Sequence, residues 1–157
     1  MIDFHAILSL ACTRVGVVAQ SKKAALEQAS ERIAAVVPAI EPRGLLEGLL
    51  ERERLGSTGL GEGVAIPHCR SAQCRVPVAA FFATDSGIDF DAPDDAPVDL
   101  LFTLAVPLDE QRQHLEILGA LARVFDDPGN LAALRRARSH EALFDAFQRQ
   151  LASAQRE

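Results

Sequence analysis

Residues 98–106, VDLLFTLAV, are apolar at every position except Asp99 and Thr103. A run of this length without in–out alternation reads as a strand covered on both faces. Such a strand must lie inside a sheet with helices packed above and below it. The patterns on either side of the run supply both the neighbouring strands and the helices.

Residues 11–19, ACTRVGVVA, form a short β-branched stretch and predict a first strand. Ser21 is placed to cap a helix over 22–37, where Leu26, Ala29, Ile33 and Val36 or Val37 recur at three- and four-residue spacing. Pro38 ends that helix and Pro42 starts a second. Leu45, Leu46, Leu49 and Leu50 make its buried stripe, and Gly56 its stop. Residues 75–84, RVPVAAFFAT, predict another strand, with Pro77 near its entry. The stretch 85–97, DSGIDFDAPDDAP, is acidic and turn-rich and reads as a surface loop or ribbon.

Beyond the central run, Asp109 is placed to cap a helix from 110 to about 125. Its inner face is expected to carry Leu115, Leu118, Leu121, Ala122 and Phe125. Asp127–Pro128 breaks it, and a short helix over 130–138 follows. Ser139 then caps a last helix with Leu143, Phe144, Phe147 and Leu151 inward, and the tail after about 151 is expected to fray. Strands and helices alternate without an internal repeat or linker. The expectation is one α/β domain over 1–157, a mixed β-sheet flanked by helices.

Bulk properties exclude several functions. The net charge of −6 argues against a nucleic-acid partner, whose binding rests on Lys and Arg at phosphates. No apolar run approaches the roughly 18–20 residues that cross a bilayer. The opening MIDFHAILSLACTRVG lacks a basic signal-like start. A cytoplasmic protein without membrane insertion is therefore expected. Trp and Tyr are absent, which weighs against a carbohydrate pocket built on stacked rings. Cys12, Cys69 and Cys74 are an odd count and are expected to be reduced thiols.

The chemistry-bearing segment is ERERLGSTGLGEGVAIPH, residues 51–68. Four glycines in the eight residues 56–63 permit either a tight helix-to-strand connection or a close approach of backbone to a ligand. A P-loop is disfavoured, because its glycines must close with Gly-Lys-Ser/Thr and open a helix, whereas Val64-Ala65-Ile66-Pro67 is strand-like. Pro67 fixes its own φ and forces Ile66 to be extended, so the chain enters His68 stiffly. That suits a positioned nucleophile, although a lone histidine is more often a polar surface residue or a satisfied core residue. A zinc site from His68, Cys69 and Cys74 lacks a second matching pair. A Cys69 nucleophile is disfavoured because neighbouring side chains of an extended strand point apart. The acidic stretch 89–99 is better read as solvated than as a divalent-ion site, and His5 and His140 as surface residues.

GSTGLGEGVAIPH closely resembles the active-site signature of phosphotransferase-system IIA proteins of the mannitol/fructose class, most of all their nitrogen-regulatory branch. SKKAALE opening the first helix, RERLGSTGLG closing the second and PVDLLFTLAVP in the central strand extend the likeness over nearly the whole chain. The resemblance implies that His68 accepts a phosphoryl group, that Arg52 faces the phosphate, and that His114 lies beside the acceptor. It also implies a phosphate-binding loop drawn from Gly56, Ser57, Thr58, Gly59, Gly61 and Gly63. Cys69 is either an incidental small residue or one that makes the site oxidation-sensitive. No cofactor or metal is implied. The implied partners are a histidine-phosphocarrier protein as donor and regulatory targets such as potassium-transport or sensor-kinase components. A sugar-transport IIA that passes phosphate to a IIB domain is the alternative. A binding module without phosphorylation is a third, against which Arg52, His68 and His114 together speak.

Overall fold

In a computed structural model that describes residues 1–156, the elements in chain order are α1 (Phe4–Ile7), β1 (Leu8–Val17), α2 (Lys22–Val36), α3 (Pro42–Leu55), β2 (Gly59–Gly61), β3 (Val64–Ala65), β4 (His68–Arg70), β5 (Val78–Ile88), β6 (Val98–Val106), α4 (Gln111–Phe125), α5 (Pro128–Arg136) and α6 (His140–Gln155). Six strands form one sheet in the order β1-β5-β6-β3-β2, with β4 pairing β6 beyond β3. β5 and β6 are antiparallel, while β1 runs parallel to β5 and both β3 and β4 run parallel to β6. The sheet is thus mixed, as expected. β6 occupies the residues expected of the central strand and buries all of them but Asp99.

Side chains alternate between the two faces of a strand. On one face Phe81 of β5 and Phe102 of β6 meet Phe147 of α6 and Phe125 of α4, with Phe81 and Phe147 stacked at 4.2 Å. On the other face the Cys12 thiol of β1 donates to the Arg32 carbonyl of α2. There too Cys69 of β4 packs against α3, its Sγ 3.2 Å from where a β-carbon on Gly48 would stand. Cys69 therefore faces α3, and its strand neighbour His68 faces the opposite way, toward His114 of α4.

The capping signals work largely as written. Ser21, Glu41, Asp127 and Ser139 each accept from amides in the first turn of α2, α3, α5 and α6, and Pro42 stands at the start of α3.

Several expectations are corrected. The first strand begins at Leu8, preceded by the single turn α1, which Asp3 caps. β5 extends past 84 because a register shift lets Ile88 pair with Val98, so the acidic stretch begins inside a strand. Asp109 is not the cap of α4; Glu110 occupies that position without a side-chain cap bond. The inner face of α4 is Ile117, Ala120, Leu121, Val124 and Phe125. At 100° per residue this face turns Leu115 and Ala122 outward, and Leu115 is 70% exposed. α5 starts two residues early, since Asp127–Pro128 both ends α4 and opens the next helix. His140 is half-buried, its Nδ1 accepting from the Val15 amide.

The last helix runs on to Gln155 instead of fraying at 151. Gln155 holds the chain start in both directions, accepting from the Ile2 amide at 2.7 Å and donating to its carbonyl at 2.9 Å.

This packing makes a stability prediction. Phe147→Ala should cost about 3–5 kcal/mol by emptying the centre of the aromatic cluster. Leu115→Ala should change stability by less than about 0.5 kcal/mol, because nothing packs over it. Urea denaturation of the two variants measures both.

Candidate functional site

The glycine-rich segment divides into two parts with different employment. Its first part turns out of α3: the Ser57 hydroxyl donates to the Phe90 carbonyl at 2.6 Å and accepts from the Gly59 amide. Its second part is a β-hairpin of β2 and β3, turning at Glu62 and Gly63 with φ of 58° and 80°. A β-carbon on Gly63 would lie 2.5 Å from Arg135 Nη2 and 2.9 Å from Asp99 Oδ1. Arg135 clamps this turn from α5, donating to the Asp99 carboxylate and to the Glu62 carbonyl. Glycine is needed there for backbone shape and for this close approach.

Position along β6 separates the turn from His68. Val64 pairs with Leu100, and His68 pairs with Leu104. Four strand residues are roughly 13 Å. Gly61 and Gly63 thus serve the hairpin turn. Gly56, Ser57 and Thr58 form the turn out of α3, and Thr58 ties it to the histidine's segment, its carbonyl accepting from the Ile66 amide at 3.1 Å.

His68 stands at the start of β4, half-buried. Its Nδ1 lies 2.8 Å from the Ile66 carbonyl oxygen. A carbonyl only accepts, so Nδ1 carries the proton and Nε2 keeps its lone pair. The His114 ring meets the His68 ring edge-on, centroids 5.1 Å apart and planes at 72°. Burial is the main cause that pushes the His68 pKa down; the bond to Ile66 and the charge of Glu53 oppose this, and Arg52 adds to it. Burial also lowers His114, followed by the charges of His68 and Arg70. His114 Nε2 is buried and has no hydrogen-bond partner among the described residues.

Arg52, on the last turn of α3, donates from Nη1 to the Gly56 carbonyl at 2.9 Å. Arg70 stands two residues after His68 on β4, hence on the same face. The structure therefore brings together His68, His114 and Arg52, and adds Arg70. Two imidazoles held neutral by burial, each under the influence of a guanidinium charge, have the chemistry suited to an anion.

Sequence reading missed Arg70, Lys22 and above all Glu53. Glu53 is a buried carboxylate on the inner stripe of α3, four residues after Leu49. A charge at that spacing was the available signal, hidden inside the run ERER. Glu53 takes Lys22 Nζ at 3.1 Å and both the hydroxyl and the amide of Thr58.

The thiols are shut away from this chemistry. Burial pushes both Cys69 and Cys74 up to about 11. Cys69 packs against Gly48, and its raised pKa keeps the thiolate fraction small at neutral pH. Among the described residues no group of three or more His, Cys, Asp or Glu side chains is arranged to hold a metal ion. No described helix is long and apolar enough to cross a membrane.

This fold is that of a phosphotransferase component. The chain belongs to the family described as phosphoenolpyruvate-dependent sugar phosphotransferase system, EIIA 2, which matches residues 6–150. Within it, the chain is 43% identical to the nitrogen regulatory protein of Pseudomonas aeruginosa, over 92% of this chain and 94% of that one. It is 41% identical to the nitrogen regulatory protein of Escherichia coli K12, over 91% and 88%. The crystal structure of nitrogen regulatory protein IIA-Ntr from Neisseria meningitidis superposes with a TM-score of 0.87 at 36% identity, covering 94% of this chain and 98% of that one.

The lowered pKa values carry a pH signature. The unfolded chain binds protons on these histidines more readily than the folded one, so stability rises with pH across the window. The contribution is complete above the ordinary value of 6.5 and is lost as pH falls through the lowered folded values. Melting temperature should drop on acidification from about pH 7.5 to about 5, and drop less in a His68→Gln, His114→Gln double variant. Ring-carbon NMR titration should place both midpoints below 6.5.

Proposed function

We propose that Nε2 of His68 accepts a phosphoryl group from a histidine-phosphocarrier protein, and that the chain signals by phosphorylation-dependent binding of other proteins. The observation that carries this reading is the free Nε2 of a neutral His68, facing His114 within reach of the Arg52 charge. In the transfer, a new bond forms between Nε2 and phosphorus as the bond to the carrier's imidazole nitrogen breaks. The proton stays on Nδ1, donated to the Ile66 carbonyl throughout, so no base is required.

The transition state spreads negative charge over three equatorial oxygens. Arg52 offers a planar fork to those oxygens, and Arg70 adds a second positive charge. His114 Nε2, as a donor, would gain in the phosphate the partner it otherwise lacks. The uncapped start of α4, one turn before His114, leaves further amides available to an anion.

The similarity to nitrogen regulatory proteins supports regulation of targets such as potassium-transport or sensor-kinase components, in the cytoplasm. The exposed Leu115, which follows His114 in α4, supplies apolar contact for a docking protein. A phosphoryl group there adds nearly two negative charges and so changes which surface can dock.

Incubation with phosphoenolpyruvate, the general phosphotransferase enzyme and the carrier should give an acid-labile, alkali-stable phosphate, absent in folded His68→Ala. Arg52→Lys should slow transfer by roughly tenfold or more, with an almost unchanged melting temperature, because the charge remains while the fork is lost. His114→Ala should still take phosphate but pass it back to the carrier more slowly. Normal labelling of His68→Ala would refute the reading. Efficient transfer onward to a IIB cysteine would favour sugar transport instead.

A further inference from the structure

The buried carboxylate of Glu53 has no hydrogen bond to His68, yet hydrogen bonds run from it through Thr58 toward the histidine, and the turn it anchors carries the carbonyl that holds Arg52. Toward the histidine, the Thr58 hydroxyl and amide donate to Glu53 Oε1 and Oε2. The Thr58 carbonyl accepts from the Ile66 amide, and the Ile66 carbonyl accepts from His68 Nδ1. Toward the arginine, the span from Glu53 to Thr58 contains Gly56, whose carbonyl receives Arg52 Nη1. We infer that Glu53 is a positioning residue for phosphoryl transfer, fixing the His68 tautomer through Thr58 and Ile66 and aiming Arg52 through Gly56. The inference deepens the reading of His68 as phosphoryl acceptor and rests on it.

The surroundings of Glu53 make it a fixed anchor. Its side chain is 4% exposed, and Lys22 Nζ binds it at 3.1 Å. The same ammonium sits 5.2 Å from the Phe90 ring centroid and 3.8 Å from Asp91 Oδ2. Phe90 in turn is tied by its carbonyl to Ser57. The start of α2, the end of α3, the turn 56–58 and the loop at 90–91 thus converge on one carboxylate. A charge buried for packing alone is a poor choice, since an apolar residue of similar volume is often as stable. What an apolar residue could not do is accept from two groups of Thr58 at once.

The test uses the full chain carrying Glu53→Gln, which keeps the size of the side chain and removes its charge. Two-bond proton–nitrogen spectra of the His68 ring should show one Nδ1-protonated tautomer in the wild type and a mixture in the variant. The rate of phosphorylation by the carrier, per folded molecule, should fall roughly ten- to a hundredfold, the scale of a small misplacement of reacting groups. A merely structural Glu53 would lower the melting temperature and leave both readouts unchanged; either one unchanged in folded protein overturns the inference. Should Glu53→Gln not fold, Thr58→Val decides in its place, since it keeps the Lys22–Glu53 pair and deletes one link. It too should mix the tautomers and slow transfer, and wild-type behaviour would overturn the inference. If the wild type takes no phosphate, the acceptor reading fails by itself, and the tautomer measurement still decides whether Glu53 positions His68.

Discussion

Strand β6 shares one edge between two short partners, and the gap between them is where the site is built. β3 holds Leu100 and Leu101, and β4 holds Leu104 to Val106. Ile66 and Pro67 lie between. Proline has no N–H to donate, so the ladder cannot run through unbroken. The Pro67 carbonyl still accepts from Leu104 at 2.8 Å, which keeps the chain against β6. Ile66 is thereby released from the sheet. Its amide goes to Thr58 and its carbonyl to His68. The interruption converts one residue's backbone groups from sheet glue into the device that orients a histidine. Everything nearby takes its position from that register, including His114, which α4 brings over the same face.

Electrostatics then sets what the oriented ring can do. Burial lowers the proton affinity of both imidazoles, and Arg52 and Arg70 press in the same direction. Glu53 works the other way on His68, but from behind the turn and already committed to Lys22 and Thr58. Two positive groups thus act on the histidines while the negative one is spent on structure. A neutral ring with a free Nε2 can attack phosphorus. On the proposed reading, the cations near it would stabilise the charged group that results, while keeping the ring neutral beforehand.

How much of this was legible in the sequence depended on the range of the forces involved. The buried run 98–106 was readable residue for residue, because burial on both faces leaves no alternation to misjudge. Caps at Ser21, Pro42 and Ser139 were readable because they act over three residues. Leu115 was misread because a leucine beside other leucines counts as core until the helix is rotated against its actual neighbours. The hold of Gln155 on Ile2 joins opposite ends of the chain and has no local sign. At the site, the signature marked His68, Arg52 and His114. It marked all the glycines alike, however, and only topology separates those that turn the β2–β3 hairpin from those beside Arg52. Glu53 was overlooked because a run of alternating charges is ordinarily solvent-exposed, and only the stripe of Leu45, Leu46 and Leu49 shows which member of the run points inward.

The alternation of β4 joins these threads. His68 and Arg70 face α4 and the open site, while Cys69 faces α3 against Gly48. A side chain larger than glycine at 48, or larger than cysteine at 69, would push α3 away from β4. Arg52 and Glu53 lie one turn further along that same helix, four and five residues past Gly48. The contact between a glycine and a thiol thus sets the height at which the arginine and the buried carboxylate meet the histidine. Seen this way Cys69 is first of all a packing group. Its small, half-buried side chain is the spacer that sets the distance between α3 on one face of the sheet and the histidines on the other.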